Sequence, residues 1–357
     1  MRSPLKKILI LAAASVLTLL ILDRLVLDLE GLRSADALHP AHRFTEAGMF
    51  SSFDDPLRHF TLRPSVTLEI DGRTYRHNSL GLRDDEVTRP KPEGTFRILV
   101  IGDSYTYGWG VDQDETIPEQ LRDNLERRYP GVVYDVLNAG VPAYDTAAEY
   151  GHLGALAPRV EPDLVVLVFQ TNDITEVDHF YLDDLKTFYA CDLPLPRRAK
   201  AWLKHSPVYH LVRRAYTNLK TRLGFEWFGE KEWGTTRAYL GLFATYCREH
   251  SLPLIIVNLP HLQIAGSLHF TADYEAQHPG FSRQSRWVNE AARDLGVPCV
   301  DLLPTLQQRV RVEKQPVETL YVAAGPPPDH HLNAEGCRLV ARITAAALDD
   351  AGLALPR

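Results

Sequence analysis

The sequence predicts an α/β protein, built on one parallel sheet of five strands with helices on both sides. Three observations carry this. From Arg97 onward, short apolar segments of strand length alternate with longer segments of helical period. Residues 164–169, "LVVLVF", are apolar at every position, as in a strand covered on both faces. Glycine and polar residues gather just after the strands, where such a sheet carries its site.

The elements follow in order. Arg2, Lys6 and Lys7 precede an apolar run over 8–22, broken by Ser15 and Thr18. At 1.5 Å per residue that run spans about 22 Å, short of the roughly 30 Å hydrocarbon layer. Lysine snorkelling at one end and residues 25–29, apolar apart from Asp28, at the other close the gap. The basic residues predict that this end stays cytoplasmic and the rest is exported, periplasmic or extracellular. Residues 1–32 are therefore expected to form a signal-anchor. A cleaved signal peptide is the competing reading, but the A-x-A of Ala35-Asp36-Ala37 lies well beyond the position expected of a cleavage site.

Residues 33–94 form an N-terminal extension whose clearest feature is alternation around Asp71-Gly72, a two-residue hairpin signal. The segment "RPKPEG", 89–94, marks a boundary. The main domain, 95–353, then shows strands at 98–101, 132–137, 164–169, 254–259 and 298–302. Helices are expected at 116–129, where Ile117, Leu121 and Leu125 recur every four residues, and at 146–156, capped by Asp145 or Thr146. Further helices are expected near 235–250 and 284–295, and at 334–351. Residues 174–232 break the rhythm, are rich in aromatic and basic residues, and are too long for a plain connection. They are expected to be an insertion covering a site, a possible lid.

Composition excludes several classes. A formal net charge of −7 argues against a general nucleic-acid binder. No G-x-x-x-x-G-K-[ST] occurs and no G-x-G-x-x-G follows a strand, so no nucleotide cofactor is expected. Cys191, Cys247, Cys299 and Cys337 lack zinc-like spacing; in an exported chain disulfides are allowed but not implied, and packed thiols are the simpler reading. His39, His42, His59 and His77 are scattered without ligand spacing, so no metal is predicted, and His77 is expected to be solvated. His261, after the fourth strand, is expected at the surface.

The residues after the strands remain. Acyl transfer needs a hydroxyl nucleophile, a base touching it, a group orienting the base, and donors for the developing oxyanion. Ser104, His331 and Asp329 can supply the first three. The donors could be the Ser104 N–H, the Gly140 N–H and the Asn172 amide. A glycine at 140 lets the backbone approach a substrate without a Cβ. Asn138 is read as stabilising its loop, Asp173 as fixing the Asn172 loop, and the stretch from Asn78 to Asp84 as packing on the sheet edge. "GDSYT" ends in Thr106, so the G-x-S-x-G elbow is absent.

This set resembles the SGNH (GDSL-type) hydrolases. Gly102-Asp103-Ser104, Gly140 in "NAGVPAY", Asn172-Asp173 and "DHHLNAEG" stand in that family's order over about 97–353, and 78–84 resembles a segment of its membrane-anchored subset. The resemblance implies a flavodoxin-like three-layer α/β/α sandwich. It also implies catalytic Ser104, Asp329 and His331, with Ser104, Gly140 and Asn172 as the oxyanion hole. Two departures stand out: Gln170 replaces a frequent glycine, and Asp329 lies two rather than three residues before His331, leaving His330 as a rival base. The implied function is a serine esterase acting through an acyl-enzyme on an O-acyl group of a cell-envelope substrate, small or polysaccharide. The alternatives are a polysaccharide O-acyltransferase using the same triad and, last, a non-catalytic carbohydrate-binding protein.

Overall fold

The computed structural model of the protein describes residues 47–52, 55–170, 173–174, 212, 230–260, 279–309, 313–316, 319–321 and 331–351. Apart from residue 212, these belong to one compact unit, Ala47–Leu182 with Phe228–Arg357. The expected anchor (1–32) and nearly all of the 174–232 insertion lie outside the described residues, as do Asn172, Asp329, His330, His261 and Cys191. No helix among the described residues is long and apolar enough to cross a membrane.

Four short strands precede the main sheet: β1 (Phe50–Ser52) pairs with β2 (Phe60–Leu62), and β3 (Val66–Ile70) with β4 (Arg73–His77), both antiparallel. The β3–β4 turn falls on Asp71 and Gly72, both at positive φ (54° and 76°), as the two-residue hairpin signal requires.

The main sheet contains β5 (Thr95–Gly102), β6 (Val133–Gly140), β7 (Leu164–Gln170), β8 (Leu254–Leu259) and β9 (Cys299–Asp301) in the order β6-β5-β7-β8-β9, all parallel. The chain steps from β5 to one side and then returns to the other, so the carboxyl end of β5 is the topological switch point, where open α/β sheets place their ligands. Ser104 lies two residues beyond it, after Asp103. Successive β5 residues face opposite ways: Ile98 and Val100 join the core that contains Leu121, Leu125, Leu339 and Val340, while the equally buried Leu99 and Ile101 stand out of that cluster.

The helices are α1 (Ser104–Tyr107), α2 (Ile117–Arg128), α3 (Thr146–Val160), α4 (Glu230–Glu249), α5 (Pro279–Leu295), α6 (Leu303–Gln307) and α7 (Ala334–Asp350). α2 packs with α7, and α4 packs with α3 and α5, giving the expected helical layers. Of the two caps considered for α3, Asp145 takes the role: its side chain accepts from the Ala148 N–H.

Several strands run past their expected ends for one reason. Asn138, Ala139, Gly140 and Gln170, read as post-strand residues, lie inside strands because each pairs with a neighbouring strand: Val100 opposes Asn138, Gly102 opposes Gly140, and Gln170 opposes Leu259. Polar side chains end an apolar run in sequence, but they do not end a ladder, which is carried by backbone N–H and C=O groups that a neighbouring strand pairs. The expectation for His77 is corrected outright. It is 2 % exposed, its Nδ1 lies 3.0 Å from the Arg63 carbonyl, and its Nε2 lies 2.9 Å from the Tyr107 hydroxyl. A carbonyl can only accept, so Nδ1 carries the proton and Nε2 accepts from Tyr107.

Candidate active site

The turn that carries Ser104 is tightly built. Gly102 ends β5 where an added Cβ would stand 2.2 Å from Thr106 Oγ1 and 2.8 Å from the Val168 carbonyl oxygen, so only glycine fits. Asp103 caps α1, its Oδ1 accepting from the Tyr105 N–H at 2.9 Å. The chain leaves α1 through Gly108 in the left-handed region, φ 82°. Both Gly108 and Trp109 donate their N–H to the Ser104 carbonyl, at 3.1 Å.

His331 arrives from the far end of the chain. The neighbouring Leu332 bridges Tyr321, and Asn333 caps α7 by accepting from the Gly336 N–H while its own Nδ2 donates to the Tyr321 carbonyl. Held between bridge and cap, His331 points Nε2 at Ser104 Oγ, 2.7 Å away. The serine hydroxyl has one proton and a second acceptor, Asp103 Oδ2, at 3.3 Å. The shorter contact favours His331, which leaves Asp103 chiefly the cap that organises the turn. Two aromatic rings flank the imidazole: Tyr105 at 4.9 Å between centroids and Trp109 at 5.5 Å, stacked at 22°. Sequence inspection missed both, although the "SYTYGWG" run supplied a signal: aromatics one and five residues after a candidate nucleophile.

Gly140 stands beside this turn, and the packing there gives its own reason for a glycine. A Cβ there would lie 2.1 Å from Tyr107 N and 2.7 Å from Thr106 C, so the glycine lets β6 and α1 meet backbone to backbone. Its N–H donates to Asn138 Oδ1 at 3.1 Å, and that side chain must give way before the amide can serve an oxyanion. Asn138 thus does stabilise the end of β6. Asp173 accepts from the Gln170 N–H at 2.5 Å.

A buried acidic layer adjoins the turn. Glu149 is fully buried, and neither carboxyl oxygen has a hydrogen-bond partner among the described residues. Burial, then the charge of Asp103, pushes its carboxyl well above the ordinary range; burial, then Glu149, does the same for Asp173. Among the described residues no cluster of three His, Cys, Asp or Glu side chains could hold a metal ion. Cys247, Cys299 and Cys337 are free thiols, two of them buried.

Comparison with known proteins matches residues 100–339 to the model of the GDSL-like Lipase/Acylhydrolase family. No curated protein matches. Among solved structures, the chain is similar to a two-domain esterase active on acetylated mannans (14% identity, 74% of this chain and 51% of that chain, TM-score 0.45). It is also similar to an acetyl xylan esterase (13%, 71% and 100%, 0.44). A third is the lipase/acylhydrolase from Enterococcus faecalis (15%, 73% and 98%, 0.43). The chain thus spans about half the length of the first of these.

Proposed function

The chain belongs to the GDSL-like lipase/acylhydrolase family, a hydrolase of carboxylic esters, and from that premise we propose that Ser104 and His331 carry its chemistry. The observation that supports this is the 2.7 Å contact between His331 Nε2 and Ser104 Oγ at the switch point of the sheet. Ser104 Oγ attacks the ester carbonyl carbon while His331 Nε2 takes its proton. The imidazolium then gives that proton to the departing alkoxide, leaving an acyl-enzyme. Water attacks the acyl carbon, loses a proton to the same nitrogen, and the acid is released as the serine is reprotonated. Asp329 is assigned the orientation of His331 Nδ1. The Ser104 N–H and the Asn172 amide are assigned the oxyanion, with Gly140 joining when Asn138 releases it.

The substrate we propose is an O-acyl group at the cell envelope, carried by a small molecule or a polysaccharide. This rests on the basic and apolar N-terminal segment, which would tether the main domain outside the cytoplasmic membrane. The test is a panel of esters of graded acyl length, with and without polysaccharide acceptors, on wild type and Ser104→Ala. Acid release that Ser104→Ala abolishes supports hydrolysis by this serine. Acyl transfer without acid release reassigns the same site to a transferase. Undiminished turnover by Ser104→Ala ends the proposal.

A further inference from the structure

We propose that Arg83 is a positioning residue of the active site: its guanidinium holds the 108–111 loop so that the Trp109 ring stays stacked on His331. This deepens the reading of Ser104 and His331 given above and rests on it. The stretch around Arg83 was expected merely to pack on the sheet edge. Its side chain is instead 1 % exposed and reaches into the loop that follows the nucleophile turn.

One guanidinium serves three carbonyls, the last of α1 and two of that loop. Nη1 donates to Tyr107 O at 3.1 Å and to Gly108 O, and Nη2 donates to Val111 O at 2.7 Å. A planar fork with five donors can do this; a lysine cannot span the same three acceptors. The guanidinium also lies over the rings of Tyr75 (4.5 Å) and Tyr107 (5.1 Å), which stack on each other at 9°. Tyr75 adds a further tie, its hydroxyl accepting from the Gly110 N–H at 3.2 Å.

The loop needs such ties. Gly108 and Gly110 both sit at positive φ, 82° and 79°, and glycine leaves a backbone many alternatives. Between them stands Trp109, whose N–H bonds the Ser104 carbonyl and whose ring stacks on the imidazole. The line of contact therefore runs from Arg83 through the loop and Trp109 to His331 and Ser104. In addition to setting the plane of the imidazole, the indole face favours the imidazolium that forms when His331 takes the proton.

Burial of this charge is hard to explain by stability. No ion pair to Arg83 forms among the described residues, and its Nε is buried there without a partner. A buried charge compensated chiefly by carbonyls and ring faces, with the Asp112 carboxylate at longer range, is commonly outperformed, for stability, by an apolar side chain. What an apolar side chain cannot do is hold three carbonyls in one geometry.

The experiment compares Arg83→Met, Arg83→Lys, Trp109→Leu and Arg83→Lys/Trp109→Leu on p-nitrophenyl acetate, using the full chain. Enzyme concentrations are set by titrating reactive serine with a phosphonofluoridate, so that only competent enzyme is counted. Arg83→Lys keeps the test available if Arg83→Met does not fold. The Arg83 variants are expected to lose roughly 10- to 100-fold in kcat with KM within about threefold, as for a misplaced catalytic group. The double variant is expected to fall no more than about threefold below Trp109→Leu, because both changes break one line of contact. Activity within twofold of wild type, or losses that multiply in the double variant, would overturn the proposal. Arg76→Ala, exposed on β4, is expected to match wild type; an equal loss there would move the effect from the guanidinium to the hairpin as a whole and overturn it as well. Ser104→Ala separates the two levels: if it still turns over, the active-site reading fails, and if it is inert while the Arg83 variants are normal, only this inference does.

Discussion

Replacing Gly140 by alanine tests how the site is assembled, because the two roles open to this residue predict opposite results. Alanine keeps the backbone N–H, so a residue that only donates to an oxyanion should tolerate the change. The geometry says otherwise. The new Cβ would stand 2.1 Å from Tyr107 N, and ordinary contact begins near 3.4 Å, so the two backbones must part by about 1.3 Å. Gly140 is held in register against Gly102, which leaves α1, and Ser104 at its start, as the part that moves. A displacement of about 1 Å at a reacting atom costs on the order of 100-fold in rate. Overpacking a rigid contact costs about 1–3 kcal/mol of stability. Steady-state hydrolysis of p-nitrophenyl acetate and urea unfolding read the two quantities. A variant within threefold of wild type in kcat/KM and within about 0.5 kcal/mol in stability would refute the reasoning.

Three further predictions concern buried titratable groups. Burial raises the Asp84 carboxyl to about 7, against the hydrogen bond it accepts from the Asn138 N–H, so the folded form holds a proton that the unfolded chain has lost. That stability is full below about pH 4 and is lost as pH rises to 7; urea unfolding at pH 5, 6 and 7 should find Asp84→Asn gaining on wild type by about 1.4 kcal/mol per pH unit, and a constant difference counts against it. His77 runs the other way: burial lowers its pKa to about 4, the neutral form favours folding above pH 6.5, and that contribution is lost as pH falls toward 4. His77→Gln should flatten the acid limb of the stability profile by about 1.4 kcal/mol per pH unit, and an unchanged limb would reject the assignment. Finally, burial pushes the thiols of Cys247, Cys299 and Cys337 up to about 12; iodoacetamide at pH 8 should modify these three only after denaturation, as read by peptide mass.

The sequence by itself determined the five strands, the longer helices between them, the Asp71-Gly72 turn and a cap for α3 at Asp145 or Thr146, between which the structure chose Asp145. Each of these is written in periodicity or in one or two adjacent residues, and a window of a dozen residues contains the whole signal. The separate positions of Ser104 and His331 were legible too, as polar residues after strands. Their contact was decided only by the tertiary structure, because Oγ and Nε2 are 227 residues apart in the chain. Partner choice at long range also explains the misses. Asn138 and Gln170 extend strands because a neighbouring ladder receives them. Gly140 is glycine because α1 lies against it, which no inspection of "NAGVPAY" could supply. The alternation of Tyr75, Arg76 and His77 did hint that His77 shares the inward face of Tyr75, but its polarity masked the hint. Arg83 is the clearest case. In sequence it is one charge in a polar stretch. In the fold it is buried beneath the loop that carries Trp109, where three carbonyls converge on one guanidinium.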